Sequence, residues 1–470
     1  MTPPQKLKPA LLPLPYLRNS DTYFRCIFTQ LGKPVLLQSD ASEKRPLGRF
    51  DILSAAPEYH VETRDGGICY YGSLPTLPDC TDSFALLSEL IVDMEKQPVD
   101  YSECIEQELP FCGGLIGYCG YDLAREYISL PSTAYNDLNV PSMQFAFYGW
   151  ACIQDHLKQH SWLVLHPMCS ETLRTTLPAI FKSATGKKIA GADITTDDRR
   201  SDTTRQKYGE NFKRIQSYIR SGDCYQINLS QRFSMHCTNS AQDIYWHLRE
   251  TMPSPFCAFV PIGNNGAILS FSPERFLKMD VEKNIQTQPI KGTIARSNTP
   301  IDDAVLAESL LNDPKSRSEN IMIVDLLRND LGRVCETGSV VAERLCELQS
   351  FSNVHHLVST ISGKLKNGLN GADLFKACFP GGSITGAPKY RAMQIIEELE
   401  KHRRSIYCGA IVYFSAHGAM DSNIMIRSLL LHENRLYCWG GGGIVADSEA
   451  DTEYEETLTK INVLLGALRH

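Results

Sequence analysis

Lys291 stands between Ile290 and a Gly292-Thr293 turn, just after a strand-like run that ends near Ile285 and Thr287. A lysine at a strand end, with glycine opening its flank, is placed to act as a nucleophile once burial beside other cationic charge removes its proton. Taken alone, Ile-Lys-Gly reads more simply as a surface turn; other side chains shift that balance. Glu274 follows a proline at the end of the apolar run 266–276, one hairpin's length of chain before Lys291. Antiparallel neighbours of that length bring acid and amine within reach, although an ordinary surface ion pair has the same signature. Glu319 falls on the same helical face as Ile323 and Leu326, so its carboxyl must be paired, protonated or bound to a metal. Further on, Glu453, Glu456 and Lys460 share one helical face, with Tyr454, Leu458, Ile461 and Leu465 on the opposite, buried one. A solvated face is the default for such charges. The preceding run Gly440, Gly441, Gly442, Gly443 changes the reading, because it lets backbone amides approach a ligand closely.

The elements that hold these groups are partly legible. Asp313 and Pro314 read as an N-cap and first position for the helix that carries Glu319. Residues 379–389 form a glycine-rich loop running straight into an amphipathic helix with Met393, Ile396 and Leu399 on one side. Free N–H groups at that helix start would suit an anion, and the spacing favours a carboxylate over a nucleotide triphosphate. A helix is predicted through Tyr208, Phe212, Ile215 and Ile219, stopped by Gly222. The strand after it alternates Tyr225, Ile227, Leu229 and Phe233 with Gln226, Asn228, Ser230 and Arg232; such a polar face is usually solvated and can equally line a cleft. Residues 21–167 read as sheet-rich: a strand at 34–39, a hairpin about 64–67, an antiparallel pair made of 144–153 and 161–166, and one helix at 82–97. The glycine-dense run 114–122 lacks a Gly-Lys-Ser/Thr sequel and reads as a tight packing turn. A polar stretch marks the expected boundary, giving an amino domain 1–182, a linker 183–204 and a catalytic domain 205–470.

Composition excludes several classes. The chain has 470 residues, 43% of them apolar, enough for two domains or one large one. A net charge of −7 gives no field for nucleic acid. No apolar run approaches the roughly 18 residues of a membrane span, and residues 1–17, broken by five prolines, do not read as a signal peptide. Sixteen cysteines without a C-x-x-C pair signal neither zinc nor a disulfide framework and predict a cytoplasmic setting.

Taken in order, residues 288–293, 318–330, 382–389, 426–428 and 440–460 resemble the chorismate-binding enzyme family, and the amino half joins in through 49–51 and 113–122. Single residues point to a branch. Anthranilate synthases usually carry alanine at the position of Lys291, whereas the branch that aminates chorismate at C4 carries lysine there. Isochorismate and salicylate synthases place a water-activating lysine at the position of Gln226. Ser316 is a departure, since the salicylate branch has an extra acid at that point.

The resemblance implies an α/β (α+β type) fold in which two facing antiparallel sheets form a sandwich with helices outside. It implies a Mg²⁺-dependent enzyme making 4-amino-4-deoxychorismate from chorismate and ammonia for para-aminobenzoate and folate synthesis, with anthranilate synthase as the alternative. Lys291 would attack C2, Glu274 would protonate the departing C4 hydroxyl, and His356 would support them. Glu319 and Glu456 would hold Mg²⁺, with Glu453 nearby. Substrate would meet Thr385, Gly386, Ala387, Arg427, Gly441, Gly442, Gly443 and Lys460. No Gly-x-Cys-x-Gly elbow accompanies any cysteine, so a separate glutamine amidotransferase subunit is expected to supply ammonia. Tryptophan is expected in an amino-domain pocket at Ser39, Leu47, Gly48, Arg49, Phe50, Pro255, Phe256 and Cys257.

Overall fold

A computed structural model describes residues 6–39, 48–64, 66–72, 80, 82–184, 193–351 and 354–468. Its framework is two large sheets in which every paired strand is antiparallel. One runs from Ala10–Leu14 through His160–Leu165, Trp150–Asp155, Phe50–Ser54 and Val35–Gln38. It continues through Phe256–Ile262, Gly266–Ser272, Ser428–His432, Arg435–Ile444 and Gln226–Cys237 to Thr196–Ser201. The other runs from Ile290–Ala295 through Val354–Lys364, Asn284–Thr287, Arg275–Met279, Met420–Asn423 and Ala410–Ser415. It ends with Gly114–Cys119, Met143–Tyr148, Tyr59–Arg64 and Gly67–Gly72.

Period-two alternation explains how the layers close. Along Phe256–Ile262, Ala258, Val260 and Ile262 join the core between the sheets, while Cys257 and Phe259 join a second core under the outer helices. Strands buried on both faces thus read as continuous apolar runs, and the expected sandwich with helices outside is the observed fold.

The two halves of the chain are not separate bodies. Val35–Gln38 pairs with Phe256–Ile262, and Gly114–Cys119 pairs with Ala410–Ser415, so both sheets run unbroken across the expected boundary. Within the expected linker, Thr196–Ser201 forms an edge strand on Gln226–Cys237; its charged, exposed side chains suit an edge and had read as a polar spacer.

Three further expectations are corrected. The run 144–153 is two strands, Met143–Tyr148 and Trp150–Asp155, which belong to opposite sheets. The chain crosses at Gly149, where a Cβ would lie 2.7 Å from the Cys169 backbone. Residues 114–119 are a fully buried strand and not a turn, its glycine at 117 admitting the Gln144 carbonyl. Finally, Gln226, Asn228, Ser230 and Arg232 are buried, so the usual solvated reading of the polar face fails and the inward-facing alternative holds.

Candidate active site

Lys291 sits on a bulge. On Ile290–Ala295, Lys291 pairs with Leu357 and Thr293 with His356, leaving Gly292 as the extra residue at φ +78°. A bulge turns neighbouring side chains away from their ladder directions. A Cβ on Gly292 would come within 2.9 Å of Ser316 and 3.0 Å of Leu310, so no other residue fits there without movement.

Glu274 reaches the lysine by a different route from the hairpin expected. Val354–Lys364 lies between Ile290–Ala295 and Asn284–Thr287, so the two groups do not lie on adjacent strands. Instead Glu274 occupies the crossing where the chain leaves Gly266–Ser272 in one sheet and enters Arg275–Met279 in the other. Ser383 bridges the pair: its hydroxyl donates to Glu274 Oε1 at 2.8 Å, and its carbonyl accepts from Lys291 Nζ at 3.3 Å. Burial lowers the Lys291 ammonium from its ordinary value against the pull of Glu319 and Glu274, with Lys460 reinforcing the fall. Burial raises the Glu274 carboxyl to about 7, partly opposed by its Ser383 hydrogen bond and by Lys291. An amine made easier to deprotonate beside an acid made harder to ionise is the pairing that nucleophilic attack with leaving-group protonation needs.

The carboxylates act electrostatically on Lys291 and on one another. Glu319, on the long helix Pro314–Val334, has its carboxyl raised by burial and by Glu453 and Glu456, and lowered by Lys291 and Lys315. Partial desolvation works to raise Glu456, whose side chain is 48% exposed, but Lys460, 2.7 Å away, with Lys315 and Lys291 beyond it, holds it below its ordinary value. Lys460 also donates to the Gly441 carbonyl at 2.9 Å. Glu453 is buried, accepts from Ser448 at 2.6 Å and lies 3.6 Å from Lys315. The helix Ala450–Ala467 therefore buries Glu453 and Thr457 in line with Ile461, Leu464 and Leu465, while Tyr454 and Leu458 are only half-buried. Its buried stripe is rotated relative to the one expected, because the glycine strand beneath has room for a carboxylate: a Cβ on Gly442 would lie 3.1 Å from Glu453.

The remaining predicted residues fall around this centre. His356 is buried, shares a 2.8 Å hydrogen bond with Thr293, and is pushed down to about 4 by burial and the nearby Arg427. It is neutral at physiological pH. Arg427 has no ion-pair partner among the described residues and sits at φ +49°, a strained backbone of the kind found where a ligand is gripped. The Gly381–Lys389 segment does not run straight into a helix. It makes the short 3-10 turn Gly382–Ile384, and Gly386–Ala387 then pairs with the Gln226 end of its strand before helix Lys389–Leu399 begins. Those backbone groups are partly taken up by the sheet. The Thr385 hydroxyl donates within the loop to Gly381, and the Thr385 carbonyl accepts from Asn228.

Several participants were not anticipated. Ser383 lies in a loop valued for its backbone, and its hydroxyl among glycines was the available signal. Arg404, almost fully buried, donates to the carbonyls of Ile384 and Asn228 and pairs with Glu400 at 2.7 Å, tying the loop to the facing strand. Removing one partner of such a buried pair costs about 3–5 kcal/mol. Gln226 is fully buried and neither side-chain amide atom has a hydrogen-bond partner among the described residues.

Away from this centre, a cavity of about 210 Å³ is lined by Ser39, Arg49, Phe50, Pro255, Phe256 and Cys257, together with Arg275, Lys278 and Asp421. Gly48 is buried nearby in sequence but does not line it, and Leu47 lies outside the described residues.

For Mg²⁺ the donor set fits. Two carboxylates from different helices act on one another, and an ion of this hardness takes one or two carboxylates plus water and substrate oxygens. Three metal-binding side chains do not cluster among the described residues; Glu319 and Glu456 would be the pair, with Glu453 engaged by Ser448 and Glu456 by Lys460.

Known proteins give this arrangement its context. The family model for chorismate binding enzymes matches residues 79–466. The chain is 40% identical over 469 residues to aminodeoxychorismate synthase component 1 of Klebsiella aerogenes, covering 98% of this chain and 99% of that one. It is 32% identical over 449 residues to anthranilate synthase component 1 of Aquifex aeolicus, covering 92% and 89%. The crystal structure of anthranilate synthase component I from Streptococcus pneumoniae superposes with a TM-score of 0.78 at 33% identity, over 91% of this chain and 93% of that one. With an amine and an acid meeting at Ser383, carboxylates that act on that amine, and a match that spans most of its length, this chain belongs to the chorismate-binding enzyme family.

Proposed function

We propose that the protein converts chorismate and ammonia to 4-amino-4-deoxychorismate through a covalent bond to Lys291, in para-aminobenzoate synthesis. The observation that carries this reading is the shared hydrogen bonding of Lys291 and Glu274 to Ser383, with burial working to neutralise both groups. Relatives that are 40% identical over nearly the full chain and named aminodeoxychorismate synthase component 1 support it. Anthranilate synthase is the alternative, and lysine in place of the usual alanine at position 291 disfavours it.

The residues divide the work as follows. Arg427, Lys460 and those amides of Gly441 to Gly443 that the ladder with Asn228, Leu229 and Ser230 leaves free hold the substrate's carboxylates, and Arg427 is suited to this by lacking a carboxylate partner among the described residues. Glu319 and Glu456 would hold Mg²⁺, which when bound supplies positive charge to the ring carboxylate. Lys291 Nζ attacks C2, the two conjugated ring double bonds shift, and the C4–O bond breaks as Glu274 gives its proton to the departing hydroxyl, which leaves as water. Ammonia then attacks C4 and expels the lysine. Gln226, carrying no charge, provides no base to activate water, which favours ammonia as the incoming group. His356, neutral, supports the Thr293 end of the catalytic strand.

Ammonia comes from a separate glutamine amidotransferase subunit, as the "component 1" of the relatives' names suggests. Cysteines such as Cys112, Cys119 and Cys152 are buried as free thiols, which suits a reducing cytoplasm. We assign the 210 Å³ cavity to bound tryptophan, whose indole suits Phe50, Pro255 and Phe256 and whose carboxylate suits the cationic side chains lining it. Acid precipitation of the purified protein is expected to release stoichiometric free tryptophan, measured by mass spectrometry; no release and no uptake of added tryptophan rejects the assignment.

Incubation with chorismate, ammonium and Mg²⁺ is expected to yield 4-amino-4-deoxychorismate, and EDTA should abolish turnover until Mg²⁺ is restored. Direct release of anthranilate would overturn the assignment.

A further inference from the structure

Ser383 is buried at the centre of the Gly382–Ile384 turn. Its hydroxyl and its carbonyl engage the two reacting groups separately: Oγ donates to Glu274 Oε1 at 2.8 Å, and the carbonyl accepts from Lys291 Nζ at 3.3 Å. The turn is itself held fast. Arg404 donates to the Ile384 carbonyl at 2.9 Å, and the Asn228 N–H donates to the Thr385 carbonyl at 2.8 Å. These anchors come from a different part of the sandwich than either catalytic side chain, so Ser383 is a fixed point relative to which both are placed.

We propose that Ser383 is a positioning residue for both halves of the displacement, its hydroxyl deciding which oxygen of Glu274 carries the acidic proton and its carbonyl aiming the Lys291 amine. The inference rests on the reading above, in which these two groups act on chorismate. A carboxylic acid has one proton and two oxygens. A hydroxyl that donates to Oε1 makes that oxygen the acceptor, so the proton resides on Oε2, free to go to the leaving hydroxyl. A neutral amine has two N–H bonds and one lone pair; directing one N–H at a fixed carbonyl limits where the lone pair points. As the Lys291 N–C2 bond forms and the C4–O bond breaks, Glu274 passes its proton to the leaving oxygen and becomes a carboxylate. The hydrogen bond from Ser383 then strengthens, because its acceptor is now charged. When ammonia bonds to C4 and the lysine leaves as a neutral amine, the proton shed by the new ammonium returns to Glu274, and the site is restored.

The test compares the parent with Ser383→Ala, Ser383→Thr and Ser383→Cys in ammonia-dependent turnover across pH, together with the rate of adduct formation on Lys291 by intact mass without ammonia. Ser383→Ala is expected to lower kcat and adduct formation together by about 10- to 100-fold, the loss of one hydrogen bond to a charge-developing group. KM for chorismate should stay within about twofold, since ground-state binding is untouched. The alkaline limb of the kcat profile should move to higher pH, because the lost hydrogen bond had favoured the carboxylate over the acid. Ser383→Thr, which keeps the hydroxyl, should retain most of the parent rate, and Ser383→Cys, a weak donor, should lie between. A folded Ser383→Ala protein with the parent's kcat, or with a loss confined to KM, overturns the proposal; so does a folded Ser383→Thr as slow as the alanine variant. Should the alanine variant not fold, Ser383→Cys is judged by the same criteria. A parent that makes no 4-amino-4-deoxychorismate removes the underlying reading, whereas an active parent beside an unimpaired serine variant removes only the role of Ser383.

Discussion

Replacing Lys291 by alanine is expected to lower ammonia-dependent amination of chorismate by roughly three orders of magnitude or more, the scale seen when a covalent nucleophile is removed. The amine lies against the Ser383 carbonyl and close enough to Glu274, Glu319 and Glu456 to feel all three charges. Intact mass spectrometry after mixing parent protein with chorismate and Mg²⁺, without ammonia, should show an adduct on the peptide containing Lys291. The alanine protein should show none. Substrate binding should survive, because the groups assigned to the substrate carboxylates are elsewhere. A Lys291→Ala protein as fast as the parent removes the covalent route while leaving chorismate as substrate.

The second large effect concerns Glu274. Glu274→Gln keeps the shape and removes the proton, so kcat should fall by about 10²- to 10⁴-fold, the usual range for a general acid. The acid must be protonated to act, and it is raised to about 7 by burial. Turnover should therefore decline as pH rises through about 7, and the glutamine variant should lose that limb. Stability follows the same sign. Between the ordinary carboxyl value of 4.5 and about 7 the folded protein holds a proton that the unfolded chain has shed. Folding thus weakens as pH rises across that window. Glu274→Gln should flatten this part of the curve in thermal melts at several pH values, and a variant with the parent's pH profile would remove the acid role.

Much of this was legible in the sequence, for identifiable reasons. Helix Arg205–Arg220 announced itself through apolar spacing and Gly222, and Asp313 caps the helix of Glu319 as expected, its side chain accepting from Ser316. Lys291 was legible because the glycine beside it is required by the backbone. Other features depend on partners distant in sequence. The chain's crossing at Gly149 leaves no trace in periodicity, since both flanking strands are buried on both faces. The polar face from Gln226 to Arg232 matched a solvated strand, because alternation reports two faces without saying which one meets water. Ser383 is not legible in the same way, because its importance comes from Glu274 and Lys291 arriving from two other strand ends, and neither arrival is encoded near it.

The continuity of the sheets across the chain's two halves has a consequence for biosynthesis. Val35–Gln38 and Gly114–Cys119 leave the ribosome long before Phe256–Ile262 and Ala410–Ser415, the strands that complete their ladders. Nascent chains of this enzyme carry bare, apolar hydrogen-bonding edges until translation is nearly finished. Such edges invite pairing with other chains. The amino-terminal half made alone should therefore need chaperone capture to stay in solution, and splitting the gene at the polar stretch would yield two fragments that must be co-expressed to be recovered.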